Sequence, residues 1–232
     1  MGDGSMLDTG AKTAPVRIGV LLAGLVVLSV ALTGTAAAQP TCPVSYDGGD
    51  GSSGSPYQIS NVSQLQCISE DLSVSYELTQ DINATETSSW NGGAGFSPIV
   101  GFTGTFDGNG HTVMGLYIDR QYTNDVGLFG YTNGGEITNV GLEAVNVAGD
   151  VNVGGLVGSN GGTVRESYVT GTVSGGYSVG GLVGHNPGTI RESYATGDVS
   201  GSDDIGGLVG YDSGGTIESS YATGGVSGYA SI

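Results

Sequence analysis

Glu166 and Glu192 stand 26 residues apart, each preceded by an arginine, Arg165 or Arg191, and each followed by Ser-Tyr. Two carboxylates on one wall are the equipment of glycoside hydrolysis, one acting as acid and the other as nucleophile or base. The adjoining arginines, and a next copy that reads Glu218-Ser219, point instead to a shared charge ladder. His185 holds the place taken by Ser159 and Tyr211 in neighbouring copies and reads as a variable surface turn residue rather than a general base. His111 follows a Gly-rich turn and enters a strand, a structural position. Asp47 and Asp50, in the loop DGGDGSSGS, and the pair Asp203-Asp204 carry the oxygens that Ca²⁺ takes. Neither matches a nonapeptide calcium repeat, so both read as solvated loops, and no metal or cofactor is expected. Tyr168, Tyr194 and Tyr221 recur in step and form an aromatic ladder. Facing outward it would be a stacking platform for sugar rings; facing inward it would be core. The SYATG segment bends, which blurs strand alternation and favours the inward reading.

What positions these residues is a repeat. Copies of 26 or 27 residues begin at Val126, Val153, Val179 and Ile205, and such a period means a stacked array in which each unit buries its apolar face against its neighbours. Leu156-Val157, Leu182-Val183 and Leu208-Val209 sit between glycines; Val164, Ile190 and Ile217 follow, then Val173, Val199 and Val226. Each stretch is short and β-prone, and none shows an apolar stripe at helical spacing. Three short strands and three turns in each copy make one coil of a parallel β-helix, with coils about 4.8 Å apart along the axis. The leucine and valine ladders are predicted to lie inside. A propeller blade would need roughly 40 residues per repeat.

Composition adds a habitat. Glycine supplies 46 of 232 residues without a collagen period, which reads as turn density. From Gln39 onward three arginines (Arg120, Arg165, Arg191) face 20 acidic residues, a net charge of −17. Phosphates would meet a field of the same sign, which excludes nucleic acid and anionic lipid as partners. A lysine-free acidic surface suits very high salt, where the screening length falls to about 3 Å, and a calcium-rich exterior is the other setting it suits.

Residues 1–38 read as a secretory signal peptide of the Sec type. Lys12 and Arg17 precede an uncharged run from Ile18 to Leu32, and Ala36-Ala37-Ala38 supplies the cleavage site. Uncleaved, the same run would be a membrane anchor, the one way a membrane becomes a partner. Cys42 and Cys67, an even count in an exported chain, are expected to form one disulfide. Asn61-Val62-Ser63 and Asn83-Ala84-Thr85 match the N-glycosylation pattern. Residues 39–100 read as an N-terminal cap region with one helix over Asn61–Leu72, capped by Asn61 or Ser60. Residues 101–125 read as the first β-helix strands and 126–232 as the repeats. Ile232 falls where a fifth copy would open, so the chain reads as a fragment of a longer surface protein.

GGLVGSNGGTVRESYVTGTVSG and its copies resemble the GLUG-motif repeats, and SPYQISNVSQLQCI, YELTQDINATET and GFTGTFDGNGHTVMGLYI are similar to the segment that leads into them in large bacterial and archaeal surface proteins. The resemblance covers Ser55 to Ile232. It implies an all-β, right-handed parallel β-helix on an extracellular, often adhesive, protein. Some relatives carry this module beside an IgA-cleaving zinc peptidase, whose HExxH motif is absent here. The expectation is a secreted or cell-surface stalk or adhesive module without catalytic activity. Its partners would be an extracellular glycan or another surface protein, with end-to-end self-association through the open coils. A polysaccharide-degrading β-helix enzyme and a ligand-free envelope spacer are the rival readings.

Overall fold

The computed structural model describes residues 1–2 and 38–228, and the fold lies within 38–228. Residues 3–37 of the leader read over 1–38, and the fifth-copy residue Ile232, fall outside the described residues. Among the described residues no helix is long and apolar enough to cross a membrane.

The chain is an all-β solenoid in which every interstrand ladder pairs strands of successive coils in parallel. One complete coil runs through Val151–Gly154, Val157–Asn160, Thr163–Arg165 and Tyr168–Ser174. That is four strand segments where three were expected. The additional one, DVNVG in sequence, is legible only once Asn152 is known to hold a left-handed φ of 56° that turns the chain toward Val153. Its equivalents Asp125, Ser178 and Asp204 share that conformation, at φ 56°, 54° and 52°. Asn and Asp tolerate the left-handed region better than other non-glycine residues, which is what this column demands.

Register is exact to the repeat. Val157 pairs with Val183 and Val183 with Val209; Val164 pairs with Ile190 and Ile190 with Ile217. The inward residues stack into columns, and Leu156, Leu182, Val164 and Ile190 are wholly buried. In the last described coil the same columns open: Ile217 is 41% and Val226 51% exposed. Val226 keeps the ladder's register, paired with Val199, in a strand that has a neighbour on one side alone among the described residues. The final glycine of each GLVG is required by the close approach of backbones. A Cβ on Gly184 would lie 2.7 Å from Gly158 O and against the backbone of Asn152 and Val153, none of which can yield.

The parallel ladders begin at Tyr57–Ile59, inside the segment read as a cap, and pass through Ser75–Leu78 and Thr105–Asp107 into the repeats. Aromatic side chains fill these early coils. Phe102 and Phe129 lie 5.0 Å apart, Phe106 and Phe129 5.4 Å, where later coils use Val, Ile and Leu. Asn61 caps the helix by accepting the Gln64 N–H at 2.9 Å, but the α-helix covers Val62–Gln66 only and tightens to a 3₁₀ turn over Cys67–Glu70. Cys42 and Cys67 form the disulfide, with Cα atoms 5.5 Å apart. Closing that loop stabilises the chain by about 3 kcal/mol in the chain-entropy account.

Candidate functional site

The tyrosine column lies on the outside. Along each strand Val169 and Ala195 are buried, so period-two alternation turns Tyr168 and Tyr194 outward, and Tyr221 is 54% exposed. The inward reading is thereby corrected: the segment stays extended through Tyr-Val and Tyr-Ala, and the irregularity comes later, at Gly171. Register brings the rings together, Tyr168 against Tyr194 and Tyr194 against Tyr221. Their centroids are 4.9 and 5.2 Å apart and the planes deviate by only 1° and 6°. One coil back the column ends at Gly141, where a Cβ would strike the Tyr168 ring. The Tyr168 hydroxyl donates to Glu143 Oε1 at 2.7 Å. Partial burial, then this carboxylate, push the phenol above its ordinary range and keep it protonated.

Rings stacked face to face cannot act as the flat platform expected of an outward ladder. Each covers its neighbour, so the column offers ring edges and a row of hydroxyls. Its chemistry is hydrogen bonding at coil spacing, next to one carboxylate.

Of the two carboxylates singled out in the sequence, Glu166 pairs with Arg165, and Glu192 makes no ion pair among the described residues. Arg165 and Arg191 occupy the same register position, and each turns to a different acid: Arg165 to Glu166 at 3.1 Å and Glu136 at 3.7 Å, Arg191 to Glu218 at 3.4 Å. These pairs are about half exposed, so each contributes ~0–1 kcal/mol. Glu166 and Glu192 are themselves turn residues, with φ of 50° and 49°, in a column with Asn139 and Ser219.

His185 bridges three coils. Its Nδ1 lies 3.3 Å from Ser159 Oγ, its Nε2 2.7 Å from Ser213 Oγ, and its ring stacks on Tyr211 at 5.5 Å. With both nitrogens engaged on an open wall, the imidazole works as a rung. His111 Nδ1 is 3.3 Å from Asp81 Oδ1, and Asp81 is held below the usual carboxylate range chiefly by the Thr112 backbone N–H. Asp47 is lowered by Ser60 and Gln64, and Asp50 by Ser52, so both belong to turns of the N-terminal segment. Asp203 accepts the Asp204 N–H at 3.0 Å. Among the described residues no three His, Cys, Asp or Glu side chains converge on one point. Asn61 and Asn83 are both exposed; Asn83 Oδ1 accepts Thr85 N–H and Oγ–H, the latter at 2.7 Å.

The GLUG motif matches residues 149–174 and 175–200, which are two successive coils of this stack. Two coils of the array are GLUG motifs. Over 129 residues, 53% of this chain, the sequence is 46% identical to halomucin of Haloquadratum walsbyi, of which it spans 1%. It is 36% identical over 129 residues to a Gly-rich membrane protein of Evansella cellulosilytica, with 51% of this chain and 15% of that one covered. The chain thus spans a small part of the curated relatives it matches. A solved protein of Bacteroides ovatus described as an immunoglobulin A1 protease aligns at TM-score 0.42 and 19% identity, over 79% of this chain and 80% of that one.

Two devices of the GLUG coil escape a reading of apolar periodicity. Thr132 Oγ1 donates to Asn160 Oδ1 at 3.1 Å, Asn160 Nδ2 to Asn186 Oδ1 at 2.9 Å, and Asn186 Nδ2 to the Asp212 carboxylate at 2.8 Å. Asn160 and Asn186 are completely buried, so the chain of amides satisfies itself across four coils. The second device is a serine column. Ser193 Oγ accepts the Ser167 N–H at 3.2 Å and Ser220 Oγ the Ser193 N–H at 3.1 Å, closing the turn that follows each left-handed residue. The signals were present as the recurring GSN, GHN and GYD, and as RES, RES and ESS.

Proposed function

We propose that this chain is the GLUG β-helical part of an extracellular or cell-surface protein, exported through its N-terminal leader, and serves as a stalk with an adhesive outer wall and no catalysis of its own. The names of its relatives, halomucin and a membrane protein, support the placement at the cell surface. The observation that carries the binding role is the outward column Tyr168–Tyr194–Tyr221 with Glu143 at its end. Three hydroxyls at one-coil intervals suit a hydroxyl-rich linear polymer, and an extracellular glycan is the ligand class. N-glycans on Asn61 and Asn83 are part of the same proposal and would appear as a mass increase removed by Asn83→Gln or Asn61→Gln.

Retention of the purified protein on a glycan array tests the role. Replacing Tyr168, Tyr194 and Tyr221 together by Phe keeps the stack but removes the hydroxyls, and retention is expected to fall about tenfold or more as several hydrogen bonds are lost. Retention that survives this change rules out the column as the site. Reducing ends released from any polysaccharide, and abolished by Glu166→Gln with Glu192→Gln, would make the protein an enzyme. No retention on any glycan or cell surface would leave a spacer.

A high-salt source belongs to the same reading. Three arginines against 20 acidic groups repel one another unless screened, so the melting temperature is expected to climb from low to molar NaCl. A flat or falling curve would remove the halophilic origin. Stabilisation by millimolar calcium, with sodium ineffective, would replace it with a calcium-rich exterior.

A further inference from the structure

A cavity of about 370 Å³ opens beside the disulfide, and its lining shares no residue with the tyrosine column. Three other tyrosines form one side. Tyr46 stacks on Tyr57 with centroids 4.7 Å apart, and Tyr76 meets them at 5.6 and 5.8 Å. Tyr76 is 1% exposed and its hydroxyl donates to the backbone carbonyl of Asp71 at 2.7 Å, which fixes the ring. The exposed carboxylates of Glu70 and Asp71 form the rim. Burial lifts the Tyr46 and Tyr76 phenols above their ordinary range, so both rings stay neutral and keep the negative face of an aromatic quadrupole.

Nothing basic lines this cavity. The described residues hold no lysine, Arg165 and Arg191 are paired on the coil walls, and the Arg120 guanidinium donates to Phe96 O and Ser97 Oγ. Electron-rich rings and two carboxylates without a counter-charge attract a cation, and aromatic walls suit one whose charge is spread over methyl groups. A hard metal ion would need six or more oxygen ligands, which these walls do not supply. The volume lies near the lower end of small-ligand pockets, roughly 300–1,000 Å³.

We propose that this cavity binds a small N-methylated ammonium ion, its methyl groups against the half-buried Tyr46 and Tyr57, which Tyr76 backs from within, and its charge facing Glu70 and Asp71. The site is independent of the tyrosine column and of the adhesive role.

The probe is choline chloride, titrated into the full chain and followed by saturation-transfer NMR on the N-methyl resonance. The comparison is 3,3-dimethylbutanol, which has the same shape without charge, at matched ionic strength. Choline is expected to saturate and to bind about tenfold tighter than the alcohol. Tyr57→Leu should abolish binding and Glu70→Gln should weaken it several-fold. Glu70 makes no ion pair with a described residue, so Glu70→Gln decides the matter even where Tyr57→Leu lowers the melting temperature. Equal affinity for the alcohol, no saturation by choline, or affinity unchanged in Glu70→Gln overturns the proposal.

Discussion

Leu182→Asp is expected to unfold the coil stack under conditions where the unaltered chain is fully folded. Leu182 is wholly buried, and its backbone lies between those of Leu156 and Leu208 in the same column. The substitution removes a packed side chain, about 2–5 kcal/mol for truncations of this kind, and leaves an unpaired carboxylate with no basic group among its neighbours. The combined loss, on the order of 5 kcal/mol or more, is comparable to the whole stability of an ordinary domain. Circular dichroism against temperature in molar NaCl measures it. A midpoint within a degree or two of the parent would mean that the column does not run through Leu182. His185→Ala, on the outer wall three residues further along the same coil, is expected to cost under about 1 kcal/mol.

Asn160→Leu comes next in size, and here the loss arises from polarity rather than packing. Leucine repeats the branched skeleton of asparagine with bulkier methyl groups and no polar atom, so the change leaves Thr132 Oγ1 without its acceptor and Asn186 Oδ1 without its donor, both inside the stack. Gly162 N–H loses its bond to Asn160 Oδ1 as well. At about 1–3 kcal/mol for each of the three stranded groups, the expected cost is at least about 3 kcal/mol. Asp212→Leu, at the last described position of the same ladder, strands one donor, Asn186 Nδ2, and is expected to cost less, about 1–2 kcal/mol. Chemical denaturation of the two variants side by side checks the order, and equal midpoints would refute an axial amide ladder.

The stacking of coils was legible because it is written in apolar residues at fixed intervals: Val157, Val183 and Val209 announce their partnership in the primary sequence. So was the cap at Asn61, since a short polar side chain before Val62, Leu65 and Ile68 has one common use. What could not be read was direction. Whether Tyr168 points in or out depends on where a strand bends, and that is decided by Gly171 and by contacts between coils. The fourth strand was hidden for a related reason, because Asn152 and Ser178 look like ordinary loop residues until their left-handed φ is known. The amide ladder was missed because a polar residue recurring beside glycine is also what a turn looks like. Only burial tells the two apart. The aromatic cavity joins Tyr46 and Tyr57 to Tyr76 across the first coils, a neighbourhood that no spacing in the repeat encodes.

The arrangement of its hydrogen bonds also determines how the molecule would respond to a pull. All the ladders lie along the axis, between one coil and the next, and none ties distant coils together. Tension applied along the axis would therefore meet the interfaces between coils one at a time. Each coil of 26 or 27 residues would then pay out about 9 nm of chain, at 3.3–3.6 Å per residue. Stretching the chain by force spectroscopy is expected to show this lengthening as steps of similar size, one per coil.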